Sequence, residues 1–270
     1  MLASAETHAR QQQRLTTAAL AASRRAWRLG NPASLLPALT LLQGHAAEGG
    51  IQSVADMLAE QNIDAHPQGQ VNTNRFTGIT SDGRPLRSLL EQASTAAGLD
   101  LMAITQVADA FRVAAGVAIT ARPRVGWTRM ITPPCCPRCA ILAGKFFRWN
   151  QGFQRHPACR CRHIPTTEDR EEDVRTDPAE LLKQGQVRGV TQAEQKAIDQ
   201  GADINQVINS RRSLYVDDAG NRLTRESTTQ RGGGRGVNGV RRTPEQIYRD
   251  ADGDRDEALR LLTQHGYLTS

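Results

Sequence analysis

All five cysteines of the chain fall between Cys135 and Cys161, and two of its six histidines, His156 and His163, lie within or just beyond that stretch. The run reads C-C-P-R-C, then sixteen residues, then H-P-A-C-R-C-R-H. Cys136-x2-Cys139 and His156-x2-Cys159 are two short chelating turns of equal spacing. That is close to the spacing of a structural zinc site in which one cysteine is replaced by histidine. Thiolates and imidazoles select zinc among the common ions, and four protein ligands closing a tetrahedron make a structural site. The spacing points to Cys136, Cys139, His156 and one of Cys159 or Cys161. Adjacent x2 turns favour Cys159; reach around the turn favours Cys161. Cys135 is then a spare thiol, and His163 an alternative to His156. A catalytic zinc needs an open position and a nearby general base. The chain has no H-E-x-x-H and no carboxylate within the cluster, so a structural Zn2+ is the expected cofactor.

Five cysteines in one cluster do not suit a disulfide framework, which uses even numbers of dispersed residues; reduced thiols on a metal, in a cytoplasm, fit better. A chain of 270 residues holds one or two domains. With 39% hydrophobic and only 4% aromatic residues, its cores should be modest. The formal charge of 34 − 28 = +6 admits nucleic acid or acidic lipid as a partner, though it is ordinary for a soluble protein of this size. No run of 18 apolar residues occurs, so no transmembrane helix is expected. The opening MLASAETHARQQQR lacks the charged-then-apolar order of a secretory signal.

The pattern along the chain predicts a mainly α fold. Residues 1–120 read as a helical interaction or scaffold region. Ile51, Val54 and Leu58 share one stripe, Leu86, Leu89, Leu90 and Ala93 another after Arg84-Pro85, and residues 101–119 are apolar on more than one face. Frequent alanine suggests close helix packing. Residues 121–165 read as a Cys/His zinc-binding module, a small β-hairpin with strands near Gly126–Ile131 and Lys145–Trp149. Its scant aromatic core would need a metal for stability. Residues 166–221 read as an acidic linker and short helices, with a capping box at Thr191-x-x-Glu194 and a cap at Asp203. Residues 222–242 read as a flexible Gly/Arg-rich linker, and residues 243–270 as a C-terminal helical tail opened by Thr243-Pro244.

Other chemistry is weaker. Cys136 or Cys139 with His156 has the composition of a nucleophilic dyad, but neighbouring thiols would chelate with it. No G-x-S-x-G marks a serine nucleophile. Arg122 through His163 carries nine basic residues and no acidic one, which suits non-specific phosphate contact by a DNA-binding or nuclease module. The acidic run 250–257 fails as a calcium loop, because Arg255 and Leu261 stand where glycine and glutamate are required.

The run C-P-R-C-A-I-L-A-G-K-F-F-R-W-N-Q-G-F-Q-R-H-P-A-C-R-C-R-H-I-P, residues 136–165, resembles the signature of MuF-type phage minor head proteins, in the form found in phages of actinobacteria. A-I-D-Q-G-A-D-I-N-Q-V-I-N at 197–209, P-E-Q-I-Y-R-D-A and E-A-L-R-L-L-T-Q-H-G-Y-L within 244–268 resemble the same group. The resemblance runs from about residue 126 to the C-terminus and more loosely over the helical N-terminal part. It implies a structural minor capsid protein of head morphogenesis, associated with the portal vertex and located in the virion after assembly in the host cytoplasm. Portal, capsid or scaffold proteins would be its partners, with non-specific contact to packaged DNA and none to a membrane. Related chains are often labelled capsid maturation proteases, an enzymatic alternative for which this sequence offers no carrying residues. The family's metal ligands map onto Cys136, Cys139, His156, Cys159 and Cys161. The doubled cysteine at 135–136 departs from the family pattern, as does Arg160 where similar chains have aspartate.

Overall fold

The computed structural model describes residues 2–156, 159–226 and 240–268. They are mainly helical with two small antiparallel sheets. They group into two compact units, one of Met1–Thr132 with Ala143–Thr176, the other of Pro133–Leu142 with Asp177–Ser270.

The first unit is built on three long helices, α1 (Ala3–Arg28), α2 (Leu36–Glu60) and α4 (Ala96–Thr120), with the short α3 (Leu86–Leu90) between the last two. Each long helix buries a row of small side chains. Ala46, Ala47, Gly49 and Gly50 of α2 are buried, as are Ala110, Ala114, Ala115 and Ala118 of α4. Small residues let the two backbones approach closely: a Cβ on Gly50 would collide with the carbonyl oxygen of Phe111. Helix α4 starts at Thr95, whose hydroxyl accepts the Gly98 N–H at 3.0 Å, a standard N-cap. Among the described helices α4 is long and apolar enough to cross a membrane. However, 61% of its most apolar stretch is buried inside the molecule, where it serves as the central core helix.

After α4 the chain enters β1 (Val125–Met130), which pairs antiparallel with β2 (Phe146–Phe147) on one side and β3 (Arg162–Thr167) on the other. Trp127 stands opposite Phe147 in one pair and Pro165 in the other. The strands expected near 126–131 and 145–149 are present, but they are not a free-standing hairpin. All six residues of β1 are buried. Trp127 stacks on Phe147 and Phe153 at 4.2 and 5.1 Å and packs with Val54, Leu58, Ala115 and Ile119 of the helices. The physical reason is area: two short strands cannot bury enough surface alone, so the aromatic cluster shares its core with α2 and α4. The Pro165 carbonyl accepts from Gln61 Nε2 at 2.8 Å.

The second unit holds α5 (Pro137–Ala143), α6 (Pro178–Lys183), α7 (Gln192–Asp199), α8 (Ile204–Asn209), β4 (Leu214–Val216), β5 (Arg222–Thr224), β6 (Arg241–Arg242), α9 (Pro244–Asp250) and α10 (Arg255–Gln264). Short helices of this kind depend on their caps. Thr191 and Glu194 form the expected capping box, and Asp203, Thr243 and Asp254 cap the three helices that follow them. Their apolar faces meet around Ile141, Ala197, Val207, Ile247, Leu262 and Tyr267. Segment 250–257 carries the end of α9, the turn at residues 251–254 and the start of α10. The ends of the expected linker at 222–242 are strands of an antiparallel sheet in the order β4-β5-β6; its middle, residues 227–239, lies outside the described residues.

Two consequences can be measured. Gly50→Ala should lower stability by about 1–3 kcal/mol through overpacking. Gly116→Ala, on the same pair of helices but with no atom within 4 Å of the added carbon, should raise it by about 0.5–1 kcal/mol; urea titration of both variants checks the contrast. His265 ends α10 with its Nδ1 accepting the Arg242 N–H at 3.5 Å. Burial, then the nearby Arg242 and Arg241, push its pKa down from 6.5 to about 4. Because the folded value lies below the unfolded one, protonation favours unfolding. Stability should therefore fall as pH drops from about 6.5 to about 4, and His265→Gln should flatten that part of the pH–stability curve.

Candidate metal centre

Cys136 sits where a helix begins. Its carbonyl accepts the Ala140 N–H at 3.1 Å, Pro137 occupies the first position of α5, and the Cys139 N–H donates to the Cys136 Sγ at 3.4 Å. The thiol thus takes the place of a capping serine, and the i, i+3 spacing turns both sulfurs to one side. The N–H donated to sulfur also stabilises a thiolate. The helix start was not foreseen, since the turn was expected to link two strands; Pro137 was the available signal. Further along the chain, the Cys159 N–H donates to the His156 carbonyl at 3.1 Å, holding those two donors one turn apart.

Two groups of donor atoms result: Cys136, Cys139 and His156 form one, and Cys139, Cys159 and Cys161 the other. Within each, the ligand atoms all lie within 4.8 Å of one another. A tetrahedral Zn–S distance of about 2.3 Å separates sulfurs by about 3.8 Å, so these groups have the dimensions of a metal site. The cluster can hold a metal ion through the five residues named from the sequence. Cys139 belongs to both groups, and neither contains a carboxylate. None of the five cysteines is in a disulfide.

The two adjacent cysteines are placed differently. Cys135 donates its N–H to Gln186 and accepts from Arg188, both at 2.9 Å, in a short parallel bridge with Val187. It stands outside both donor groups. His163 also stands outside them. Its ring lies 4.6 Å from Trp127 and 4.5 Å from Phe153, and burial pushes its pKa down to about 3, with Arg112 and Arg129 acting in the same direction. It is a neutral histidine of the aromatic core.

Support for the Cys159-x-Cys161 segment comes from α4, the helix that is apolar on more than one face. Arg112 Nε donates to the Cys161 carbonyl at 2.8 Å, and Nη2 donates to the Cys159 carbonyl. Nη1 bonds Asp109, one turn back, at 3.1 Å. Asp109 also receives Arg155 through Nε at 2.5 Å and Nη2 at 2.7 Å. Burial lowers the pKa of Arg112, while the neighbouring Cys159 and Asp109 charges oppose that shift. The hydrogen bonds that Arg155 donates to Asp109 raise its own pKa. Two charges three residues apart inside an apolar run were the signal that could have found this pair.

Asp109→Ala leaves the Arg112 guanidinium buried without its partner and should cost about 3–5 kcal/mol, whereas Arg24→Ala, which breaks the exposed pair with Asp100, should cost no more than about 1 kcal/mol. Denaturant unfolding of the two variants distinguishes them. No protein-family model, curated protein or solved structure matches the chain, and the reading of this centre rests on its own residues and geometry.

Proposed function

We propose that the chain is a structural minor head protein of a phage, of the MuF type, whose centre holds one zinc ion as a folding element. The observation that carries this reading is the run 136–165, which combines the family signature with a thiol- and imidazole-rich donor cluster free of carboxylates. Cys136, Cys139 and His156 would be three ligands, and Cys159 or Cys161 the fourth. Such a set closes the tetrahedron and leaves no position for substrate, which favours a structural role over hydrolysis. Portal, capsid or scaffold proteins would be the partners, in the virion and during assembly.

The burial of cations bears on the DNA-binding alternative. Of the nine basic residues between Arg122 and His163, Arg122, Arg129 and Arg162 are buried, and Arg155 is committed to Asp109. The positive charge that composition assigns to this segment is therefore only partly available to phosphates.

Metal analysis of the purified chain should find stoichiometric zinc. Cys139→Ser should lose it and unfold at a lower temperature, while Cys135→Ser should keep it; zinc retained at wild-type level with unchanged stability in Cys139→Ser would overturn the assignment. Mass spectrometry of particles made with the gene present tests the rest. A few to a few tens of full-length copies per particle support a minor head protein. Absence from particles, with newly cut capsid-protein termini that vanish when the gene is deleted, supports a maturation protease instead.

A further inference from the structure

Helix α1 carries five arginines and a single acid, Glu6. At about 100° per residue, Arg10, Arg14, Arg24, Arg25 and Arg28 all fall within an arc of about 100°. The buried residues of the helix, among them His8, Gln12, Ala19 and Ala26, fall on the opposite side. All five arginines are exposed. Arg10 meets Glu6 at 4.0 Å, and Arg24 meets Asp100 of α4 at 3.4 Å. The side chains of Arg14, Arg25 and Arg28 have no partner among the described residues. The acids that α2 brings to α1 are engaged elsewhere: Asp56 bonds His8, and Glu60 accepts the N–H groups of Ala3 and Ser4.

A helix face that serves only solubility mixes both signs of charge. On this one, Arg10 with Arg14 and Arg24 with Arg28 are like-charge pairs at i, i+4, which weaken a helix. The macrodipole favours Arg25 and Arg28 in the last turn but offers nothing to Arg10 and Arg14. A polyanion laid along the face would offset the repulsion. Between the two groups of arginines only Thr17 and Ala21 lie in the same arc, both exposed. The Thr17 hydroxyl folds back to donate to the Gln13 carbonyl at 3.0 Å, which leaves a shallow saddle. Arg14 and Arg24 stand about 15 Å apart along the axis, comparable with the roughly 12 Å width of the major groove of duplex DNA.

We infer that the outer face of α1 binds duplex DNA through its phosphates. Arg10 and Arg14 take one wall of the major groove, and Arg24, Arg25 and Arg28 take the other. Guanidinium groups pair with phosphate oxygens through charge-assisted hydrogen bonds. The saddle holds no long side chain that could reach base edges, so the contact is independent of sequence. An anionic membrane suits this helix less well. An interfacial helix inserts its apolar face into lipid, whereas here Ala19 and Ala26 are packed into the core with Leu39 and Phe111. An acidic protein segment offers charge without the two separated rows that the spacing matches. The assignment does not depend on the identity of the metal or on the phage reading.

Fluorescence anisotropy of a short labelled duplex of mixed sequence, titrated with the full chain as purified, tests it. Affinity should fall at least about a hundredfold between about 50 and 200 mM salt, as expected for four or five neutralised phosphates. Replacing four arginines together (Arg10→Gln, Arg14→Gln, Arg25→Gln and Arg28→Gln) should weaken binding at least about tenfold at the lower salt and make the log–log salt slope shallower by about 3. Arg24 stays in place for its pair with Asp100. Glutamine keeps the helix propensity of arginine and removes like-charge pairs, so the thermal midpoint and metal content should match or exceed those of the parent. Arg124→Gln with Arg148→Gln, which neutralises two exposed cations of the 122–163 segment, should leave DNA binding unchanged. Phosphatidylserine–phosphatidylcholine vesicles and poly-L-glutamate serve as rival polyanions. No binding to the duplex at low salt, affinity and salt slope untouched by the four substitutions, loss caused by the Arg124/Arg148 variant instead, or stronger binding to either rival overturns the inference.

Discussion

A guanidinium buried among apolar side chains is costly unless its nitrogens find partners, and each of the three nitrogens of Arg112 finds one within the first unit. Its bonds run to Asp109 on its own helix and to the carbonyls of Cys159 and Cys161. Helix α4 therefore contributes more than core volume. It fixes the backbone that carries the two cysteines, and through Asp109 it also holds Arg155. A donor cluster built only on loops would have to order those loops when metal arrives. Here part of that ordering is already supplied by hydrogen bonds to a helix, so less conformational entropy remains to be lost on coordination.

The features legible in the sequence were the local ones. Thr191, Asp203 and Thr243 announce helices because a cap needs only its own residue and the next three. Frequent alanine in the N-terminal helices likewise announced close packing. The third strand, R-H-I-P-T-T, showed no alternation, because five of its six residues are buried and both faces lose their polar signal. Strands β5 and β6 lay inside an arginine- and glycine-rich run whose composition suggests a linker, and their pairing joins residues about twenty apart. The five donor residues could be named because short chelating spacing is itself a local pattern. What spacing could not supply was that Cys136 and not Cys135 falls within a donor group, or the partners of Arg112, which lie nearly fifty residues downstream.

Charge was the property most easily misread. A count over residues 122–163 suggests a basic face, yet Arg129 is fully buried, with its guanidinium 3.9 Å from the centre of the Phe153 ring, and Arg122 bonds the Ala118 carbonyl at 2.7 Å. Arginine in this segment serves as a long donor that saturates carbonyls and packs on aromatic rings. Composition counts these side chains as surface potential, although the fold spends several of them inside.

The carbonyl of Pro165 points toward Gln61 rather than toward β1, and an imide nitrogen beside it has no hydrogen to offer. In an antiparallel ladder the nitrogen and oxygen of one residue face the same way. At this point the outer edge of the sheet presents neither a donor nor an accessible acceptor. A strand from a second molecule arriving there would find no complementary ladder, so the proline and the glutamine together guard this edge against the edge-to-edge pairing that seeds aggregation.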